Sequence, residues 1–376
     1  MTELPFSHLR IVALEQAVAA PFCSRQFADL GADVIKIERP DGGDFARGYD
    51  DALHGVSSYF AFLNRGKRSI VLDLKQPDGL ATLARLIARA DVFLHNLAPG
   101  AVERLGCGYA ELAERHPRLI WCGISGYGPD GPYRDKRAYD ILVQAESGVV
   151  SLTGSPETPA KVGVAVADIG SGHYAYSSIL AALYQRERTG RGERIDIAML
   201  ECLTEWVTPW LYTWHGTGQA PERFGMRHNM IVPYGAYACA DGEVLLSIQN
   251  EREWVRFCGQ VLAAPGFAAE YPSNAARLQN RAAVEGRIES AFAAHPRAEI
   301  LRLLDDAGIA NGALNAIPDV ARHPQLAARG RWTTIDSPAG RLPALLPPHN
   351  LAHAAPAMGA VPTLGQHTGE ILKELE

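Results

Sequence analysis

The first third of the chain alternates short apolar segments with helical patterns, and this alternation constrains the fold more than any other feature. Strand-like segments occupy residues 9–14, 33–38, 70–74, 92–96 and 119–125, and helical patterns lie around 21–30 and over 77–90. Strands and helices that alternate at this spacing form βαβ units with parallel strands. The sequence therefore predicts an α/β fold with a Rossmann-like, mostly parallel sheet. No GxGxxG motif opens the first helix, so a nicotinamide cofactor is unsupported.

The length of 376 residues indicates two domains. After residue 205 the alternation gives way to an aromatic and polar stretch, and a second set of β-like segments (234–237, 244–248) precedes helical patterns at 252–262, 275–295 and 297–307. We expect a large Rossmann-like domain at 1–205, a linker at 206–225, a smaller α/β domain at 226–320, and a C-terminal segment at 321–376.

Composition argues against several classes of protein. A net charge of -6 gives no basic footprint for nucleic acid. No apolar run approaches the roughly 20 residues that span a bilayer, and no signal-peptide core is visible, so we expect a cytoplasmic protein without membrane partners. The six cysteines form no CxxC pair, and the twelve histidines form no HxxxH or HExxH motif. We therefore expect reduced thiols and no metal.

One carboxylate, Asp168, follows the β-rich segment 162–167 and precedes Ile169-Gly170-Ser171-Gly172 and an apolar helical pattern. This order predicts a strand-to-helix turn. In an open α/β sheet such turns line the crevice where ligands bind, so Asp168 is a candidate to face a substrate. The alternative, favoured by position alone, is a helix cap. His173, expected in the first helical turn, reads as structural.

Six segments, in this order, resemble those of the family III CoA-transferases, also called the CaiB/BaiF family. They are EQAVAAPFCSRQFADLGADVIKIERP (15–40), NRGKRSIVLDLK (64–75), DVFLHNLAPGAVERLG (91–106), ISGYGPDGPYRDKRAYDILVQAESG (124–148), KVGVAVADIGSGHYAYSSILAALYQRERTGRGERIDIAML (161–200) and PTLGQHTGEILKEL (362–375). The likeness extends over nearly the whole chain. It implies that the C-terminal segment returns to the large domain and that two chains interlock as a ring-like homodimer.

The resemblance implies a CoA-transferase that uses acyl-CoA thioesters as substrates and no permanently bound cofactor. The similarity is greatest to the succinyl-CoA-dependent branch, with a C4–C6 dicarboxylate acceptor such as mesaconate, citramalate, itaconate or hydroxymethylglutarate. Asp168 would be the nucleophile, forming first a mixed anhydride and then an aspartyl-CoA thioester. It would be ionised at pH 7 from its ordinary pKa of about 3.9. Gln16 would supply a polar contact to the reacting group.

The resemblance also implies a CoA site at strand ends and the turns that follow them. Matching the family motifs residue by residue gives Gln16, Ala17, Arg39, Leu72, Asp73, Leu74, Lys75, Asn96, Leu97, Ala98, Arg104, Arg137, Ala138, Tyr139 and Asp140. Arginine suits the phosphates of CoA because it can donate two hydrogen bonds at once. Any one of these charges could instead be solvated surface. Lys67 and Arg68 precede a strand and are left out.

Three alternatives stay open. A 2-methylacyl-CoA racemase is disfavoured because Tyr139 stands before Asp140 where that branch has histidine, and tyrosine is a poor base. An oxalate acceptor is in doubt because residues 224–237 lack the glycine run of the oxalate branch. In this segment Arg227 and His228 could bind the second carboxylate of a dicarboxylate substrate, or could be ordinary loop charges. A non-catalytic CoA-binding protein with the same fold is the third.

Overall fold

The computed structural model describes residues 4–376. Its strands are β1 (Arg10–Leu14), β2 (Asp33–Glu38), β3 (Arg68–Val71), β4 (Val92–His95), β5 (Ile120–Ser125), β6 (Arg194–Ala198), β7 (Tyr234–Cys239), β8 (Gly242–Ser247), β9 (Ala310–Ala313), β10 (Trp332–Ser337) and β11 (Gly340–Leu345). Its helices are α1 (Ala19–Asp29), α2 (Ser58–Asn64), α3 (Pro77–Ile87), α4 (Ala101–Arg104), α5 (Tyr109–Arg115), α6 (Asp140–Glu146), α7 (Val149–Leu152), α8 (Val166–Thr189), α9 (Met199–Trp206), α10 (Thr208–Thr217), α11 (Glu251–Arg256), α12 (Pro265–Glu270), α13 (Asn274–Gln279), α14 (Arg281–Phe292), α15 (Arg297–Asp306), α16 (Ile317–Ala321), α17 (Pro324–Ala328) and α18 (Thr368–Leu375). A 3₁₀ turn covers Phe45–Gly48, and a π-helical turn, Phe257–Val261, continues α11.

The first six strands form one parallel sheet in the order β3-β2-β1-β4-β5-β6. On β1, Val12 pairs with Ile35 of β2 on one side and with Phe93 of β4 on the other. Strand order reverses between β1 and β4, which makes this the topological switch point of a doubly wound sheet. The predicted α/β fold with a mostly parallel sheet is confirmed.

Both faces of the sheet are covered, because successive strand residues point to opposite sides and both sides are buried. On one face, Ile11 and Leu94 pack in the cluster that includes α1 and α8 residues such as Phe27 and Ile179. On the other, Val12 and Phe93 belong to the cluster with residues of α3 and α18. The sheet is therefore packed on both faces, and ligands of such sheets bind beyond the carboxyl ends of the strands.

The edge strand β6 was not predicted. Its sequence, RIDIA, alternates exposed and buried residues, and the exposed Arg194 and Asp196 hide the apolar signal. It pairs with β5 through Ile195 against Cys122. An edge strand has a partner on one side only, so polar residues are tolerated there.

The prediction of a strand at 162–167 is wrong. The N–H of Val162 donates to Oε1 of Gln144 (2.9 Å), and the helix α8 begins at Val166. Asp168 therefore lies inside the first helical turn rather than at the end of a strand. His173 falls in the second turn, not the first.

Two compact units divide the described chain. One contains the residues up to Val149, Lys161–Tyr212 and Leu326–Glu376; the other contains Val150–Ala160 and Thr213–Gln325. Residues 206–225, expected as a linker, hold the end of α9 and the whole of α10. No helix within residues 4–376 combines the length and apolar character needed to cross a bilayer.

Each unit has its own small antiparallel sheet. In the unit that holds the parallel sheet, β10 and β11 form a hairpin, and α18 follows, with Glu374 pairing with Arg10 and Arg68. In the other unit, β7-β8-β9 form a three-stranded sheet over a core that includes Trp254 and Phe292. The predicted helix 275–295 is two helices, α13 and α14, separated at Asn280.

Candidate functional site

A cavity of about 480 Å³ opens at the carboxyl ends of β1 to β4, beside the switch point of the sheet. Its walls include seven of the residues predicted for CoA: Gln16, Arg39, Leu72, Asp73, Leu74, Lys75 and Leu97. In open α/β sheets ligands bind at this position because the loops there diverge and leave a crevice. The strand-end placement inferred from the sequence thus brings these seven residues to one cavity.

The turn after β1 is fixed by Asn96, which follows β4. The Gln16 N–H donates to Oδ1 of Asn96 (3.0 Å), and the Asn96 amide donates back to the Gln16 carbonyl (2.7 Å). The next residue, Ala17, has a φ of 61°, a conformation that non-glycine residues rarely adopt. Its N–H donates to Oδ1 of Asp44 (2.8 Å). Asn96 therefore positions the turn rather than lying free for a ligand, and Asp44 holds the strained residue.

A network of buried charges supports this turn and was missed by the sequence analysis. The Glu15 carboxylate accepts from Lys67 (2.6 Å), and Lys36 lies 3.4 Å from Glu15 and 2.7 Å from Asp44. The Asp44 N–H in turn donates to Glu38 (3.0 Å). All five residues are at least 96% buried. The signal that could have revealed the network is Lys36 itself, a charge inside the apolar strand VIKIE.

The network stays ionic because its members compensate one another. Burial disfavours the charged form of Glu15, but the ammonium groups of Lys67 and Lys36 outweigh it and hold the pKa of Glu15 below its usual value. Burial lowers the pKa of Lys67 to about 8, with the Glu15 carboxylate opposing. Lys67 is thus structural, in agreement with its omission from the predicted CoA site.

Asp140, and not Asp168, caps helix α8. Oδ1 of Asp140 accepts from the N–H of Ala167 (2.8 Å) and, more weakly, of Asp168 (3.4 Å), while its Oδ2 accepts from Gln144 (2.6 Å). Over residues 4–376, no donor reaches the Asp168 carboxylate, which is half-buried. The capping role that position alone favoured for Asp168 is therefore wrong. Within the described residues, the Asp168 carboxylate therefore has no hydrogen-bonding role in the fold.

Burial, and then the nearby Asp140 carboxylate, raise the pKa of Asp168 to about 7. This environment works against the full ionisation at pH 7 that the ordinary pKa of an aspartate predicts. A carboxylate whose pKa is raised is a stronger nucleophile once ionised. Perturbed, uncommitted carboxyl groups of this kind are common at reactive sites.

Two tyrosines accompany Asp168. Burial, followed by the charges of Asp44 and Asp168, raises the pKa of Tyr49. The Tyr49 hydroxyl therefore lies in the field of both carboxylates and keeps its proton. Tyr139 directly precedes the cap residue Asp140 and is 71% exposed. An aromatic ring so accessible can pack against a ligand.

Four more of the predicted CoA residues also lie outside the lining of the 480 Å³ cavity. Ala98, Arg104 and Arg137 are exposed on the loops and the short helix that follow β4 and β5. Ala138 is partly buried, and its Cβ lies so close to Gly126 that any side chain at Gly126 would clash. The structure does not bring these four together with the residues that line the cavity.

Arg227 and His228 belong to the other unit and are already engaged there. Arg227 pairs with Glu289 (2.8 Å), and its guanidinium lies 3.6 Å from the centre of the Tyr237 ring. His228 stacks on Tyr234, and burial lowers its pKa. Binding of a distal carboxylate by Arg227 would compete with Glu289.

A family model described as CoA-transferase family III matches residues 6–368. The chain belongs to CoA-transferase family III. This CoA-transferase is 34% identical to a succinate–glutarate CoA-transferase of Agrobacterium fabrum, covering 99% of this chain and 96% of the relative. It is 37% identical to an acetyl-CoA:oxalate CoA-transferase of Acetobacter aceti, covering 86% of this chain and 84% of the relative.

A crystal structure of a CaiB/BaiF family protein from Brucella suis superposes on this CoA-transferase with a TM-score of 0.88 at 34% identity, over the full length of both chains. The predicted family and enzyme class are confirmed. The assignment of individual residues to CoA and catalysis remains a prediction, supported by the geometry above.

Proposed function

We propose that this CoA-transferase moves CoA from succinyl-CoA to a C4–C6 dicarboxylate, with Asp168 as the covalent nucleophile. The observation that carries the proposal is the Asp168 carboxylate, which is half-buried, accepts no hydrogen bond from residues 4–376 and has a pKa raised to about 7. Asp140 takes over the cap of α8, so nothing in the fold requires a carboxylate at position 168. A chain that only bound CoA would have no use for it.

The chemistry follows from the thioester. An Asp168 oxygen attacks the thioester carbonyl, the C–S bond breaks, and CoA leaves as thiolate from a mixed anhydride. The thiolate attacks the Asp168 carbonyl carbon, releasing succinate and leaving an aspartyl-CoA thioester. The acceptor carboxylate then attacks that thioester, which expels CoA thiolate and forms a second mixed anhydride between Asp168 and the acceptor. The thiolate attacks the acceptor's carbonyl carbon, and the bond from that carbon to the Asp168 oxygen breaks. Asp168 is regenerated as carboxylate, and no proton is gained or lost.

The cavity at the switch point is the proposed CoA site. Arg39 and Lys75 at its rim carry the charges for phosphate oxygens, and Leu72, Leu74 and Leu97 give it apolar walls. The Gln16 side chain lines the same cavity and is the proposed polar contact for the reacting group. Tyr139, beside Asp140, is proposed to pack against the pantetheine arm.

We propose further that the protein is an interlocked, ring-like homodimer in the cytoplasm. Large apolar residues in the unit that holds the parallel sheet are unusually exposed: Tyr139 71%, Ile141 49%, Leu142 44%, Val164 56%, Tyr184 71% and Tyr212 73%. Exposed apolar side chains in such number are what an interface with a second chain would cover. Analytical ultracentrifugation at micromolar concentration tests the proposal by measuring the mass of the particle. A dimer is expected, and a monomer would contradict the proposal.

The acceptor is tested by mass spectrometry of acyl-CoA products in deuterated water. The protein is incubated with succinyl-CoA, a chiral 2-methylacyl-CoA, and a panel of glutarate, mesaconate, citramalate, itaconate, hydroxymethylglutarate and oxalate. A new dicarboxylyl-CoA of four to six carbons supports the proposal, and oxalyl-CoA alone would refute the acceptor class. Deuterium on the 2-methylacyl-CoA without new esters would indicate a racemase.

Variants separate the enzyme from a binding protein. Asp168→Ala should keep CoA binding and lose transfer, whereas the surface control Asp336→Ala, at a carboxylate that is 81% exposed, should keep both. CoA binding without transfer in the wild-type protein, with every acceptor, would favour the non-catalytic alternative.

A further inference from the structure

Two buried glycines, Gly170 and Gly172, lie in the first two turns of helix α8, close to Asp168. Glycine is unfavourable in the interior of a helix compared with alanine, because it loses more backbone freedom on folding. A glycine at such a position is required only where a side chain would not fit. The two positions differ in what a side chain would meet.

At Gly172 a side chain would collide with the backbone of helix α1. A Cβ atom there would lie 2.5 Å from the carbonyl oxygen of Ala19, the first residue of α1, and 3.1 Å from Cδ1 of Phe22. Carbon and oxygen atoms that are not bonded to each other normally stay about 3.3 to 3.6 Å apart, so an added methyl group would force the two helices apart by about 1 Å. The start of α8 lies against α1 because residue 172 has no side chain.

Asp168 lies on the same face of α8 as Gly172. Residues four apart in a helix are stacked one turn above the other. The buried Ala175, Tyr176 and Ile179 continue this stripe and belong to the hydrophobic cluster that also contains residues of α1. Asp168 is therefore the first member of the face that α8 turns toward α1.

The two helices run side by side in the same direction. Gly172 contacts α1 at Ala19, and one turn later the ring centre of Tyr176 lies 4.7 Å from that of Phe27, farther along α1. The point of contact therefore moves toward the C-terminus along both helices together.

One turn back along α8, the same register places Asp168 beside the turn that follows β1 and carries Gln16. A second observation agrees with this placement. Burial, and then the charges of Asp44 and Asp168, raise the pKa of Tyr49, so both carboxylates lie near one tyrosine. The Asp44 carboxylate accepts a hydrogen bond from a backbone N–H of the same turn. The proposed nucleophile and the turn are therefore neighbours.

We propose that Gly172 is a positioning residue for the transfer reaction: it lets α8 lie against α1 and so holds the Asp168 carboxylate within reach of the group that Gln16 contacts. The inference rests on the proposed CoA-transferase function, and Gly172 itself touches no substrate. Asn96 and Asp44 fix the turn that carries Gln16, so a methyl group at residue 172 would move α8 rather than the turn.

The test compares Gly172→Ala with Gly170→Ala in the whole chain. A Cβ atom at Gly170 would meet the ring of Trp206 at 2.9 Å, and this side chain is 44% exposed and can turn aside. Gly170→Ala thus makes the same chemical change in the same helix, two residues from Asp168, and should keep kcat close to the wild-type value.

Gly172→Ala should lower kcat for transfer from succinyl-CoA by about a hundredfold, because a displacement of about 1 Å removes the reacting group from its productive geometry. The affinity for CoA, measured by calorimetric titration, should be unchanged, since none of the described residues that line the 480 Å³ cavity belongs to α8. A loss of CoA affinity that matches the loss of kcat would place the defect in binding and overturn the proposal.

The pH profile of kcat separates displacement of Asp168 from a change in its ionisation. If the methyl group moves the nucleophile, the loss in Gly172→Ala persists at pH 9, where the carboxylate is ionised. A loss that disappears at pH 9 would mean that the variant only raises the pKa of Asp168, and it would overturn the proposal.

A second variant covers the case in which Gly172→Ala does not fold. Phe22→Ala is then added, because removal of the ring gives α8 room to shift sideways. The double variant should fold and show the same loss of kcat, whereas Phe22→Ala alone should keep kcat. Failure of both Gly172 variants to fold would assign this glycine to the fold rather than to the reaction and overturn the proposal.

The outcomes separate this inference from the proposed function. Wild-type transfer that depends on Asp168, together with a normal kcat in folded Gly172→Ala, overturns the positioning role and leaves the transferase proposal intact. An equal loss in Gly172→Ala and Gly170→Ala also overturns it, since the control lacks the collision with the backbone. A wild-type protein that transfers CoA to no acid refutes both.

Discussion

Replacing Asp168 with asparagine should make the protein more stable while it abolishes transfer. The folded protein raises the pKa of this carboxyl from the ordinary 3.8 to about 7, so it favours the neutral form. A tenfold change in an acid dissociation constant corresponds to about 1.36 kcal/mol, which gives about 4 kcal/mol of destabilisation once the group is fully charged. Partial exposure makes that figure an upper bound. Asparagine keeps the shape of the neutral acid and removes the charge.

The sign of the pH dependence follows from the raised pKa. Between pH 3.8 and pH 7 the folded state binds more protons at Asp168 than the unfolded state does, so wild-type stability falls as pH rises through that window. Above pH 7 the cost is fully present. The stability advantage of Asp168→Asn should therefore widen by about 2 to 3 kcal/mol between pH 5 and pH 8.

Urea unfolding at pH 5 and pH 8 measures this difference. Asp336→Asn is the control, because Asp336 is 81% exposed and its nearest cation, Arg341, lies 4.0 Å away; it should show no gain that grows with pH. An Asp168→Asn protein that is less stable than the wild type at pH 8, or whose advantage is equal at both pH values, would refute the reasoning. The Asp168 carboxyl would then be solvated or paired.

Three further outcomes follow from the same contacts. The rate of transfer should rise with pH through about 7, since Asp168 must be ionised to attack, and Asp140→Asn should lower that midpoint by removing the neighbouring charge; kcat against pH measures both. Lys67→Met should cost about 3–5 kcal/mol in urea unfolding because it leaves Glu15 without its closest counter-charge in the interior, and adding Glu15→Leu should recover part of the loss. Burial lowers the pKa of His95 from 6.5 to about 3, so the folded state favours the neutral ring, and the free energy of unfolding decreases as the pH falls from 6.5 toward 3. In urea unfolding, His95→Gln should therefore lose less stability than the wild type between pH 7 and pH 5.

The sequence predicted the parts of the fold in which local pattern and burial agree. The predicted strand 33–38 coincides with β2, and 92–96 overlaps β4, because the apolar residues of both segments become almost fully covered. Edge strand β6 was missed, since two of its five residues, Arg194 and Asp196, face water and carry charge. The segment 162–167 has strand-like composition but no neighbouring strand, and a single side chain, Gln144, takes up one of its backbone donors. Composition cannot reveal such a partner.

For the site, the sequence could predict only which strand ends contribute residues. The strand order β3-β2-β1-β4 brings Gln16, Lys75 and Leu97 to one cavity. A family resemblance can imply this order, and the pattern of strands in the sequence can support it. The pairing of Glu15 with Lys67 joins residues 52 positions apart, and the approach of Gly172 to Ala19 depends on how two helices pack. Contacts of this kind are tertiary, so no local pattern encodes them.

The two carboxyls at the start of α8 show how neighbouring acids can take on different roles. Asp140 accepts hydrogen bonds from the N-terminus of the helix and from Gln144. Asp168 receives no such donor from the described residues, is half-buried and faces the Asp140 charge, so its pKa is raised to about 7. Because Asp140 takes the cap, Asp168 is left without a donor, and burial together with the Asp140 charge raises its pKa. The Asp140→Asn variant tests this division of roles, because asparagine keeps a side-chain oxygen for the cap and removes the charge. The pKa of Asp168 should then fall, which moves the pH midpoint of transfer downward without a change to the nucleophile.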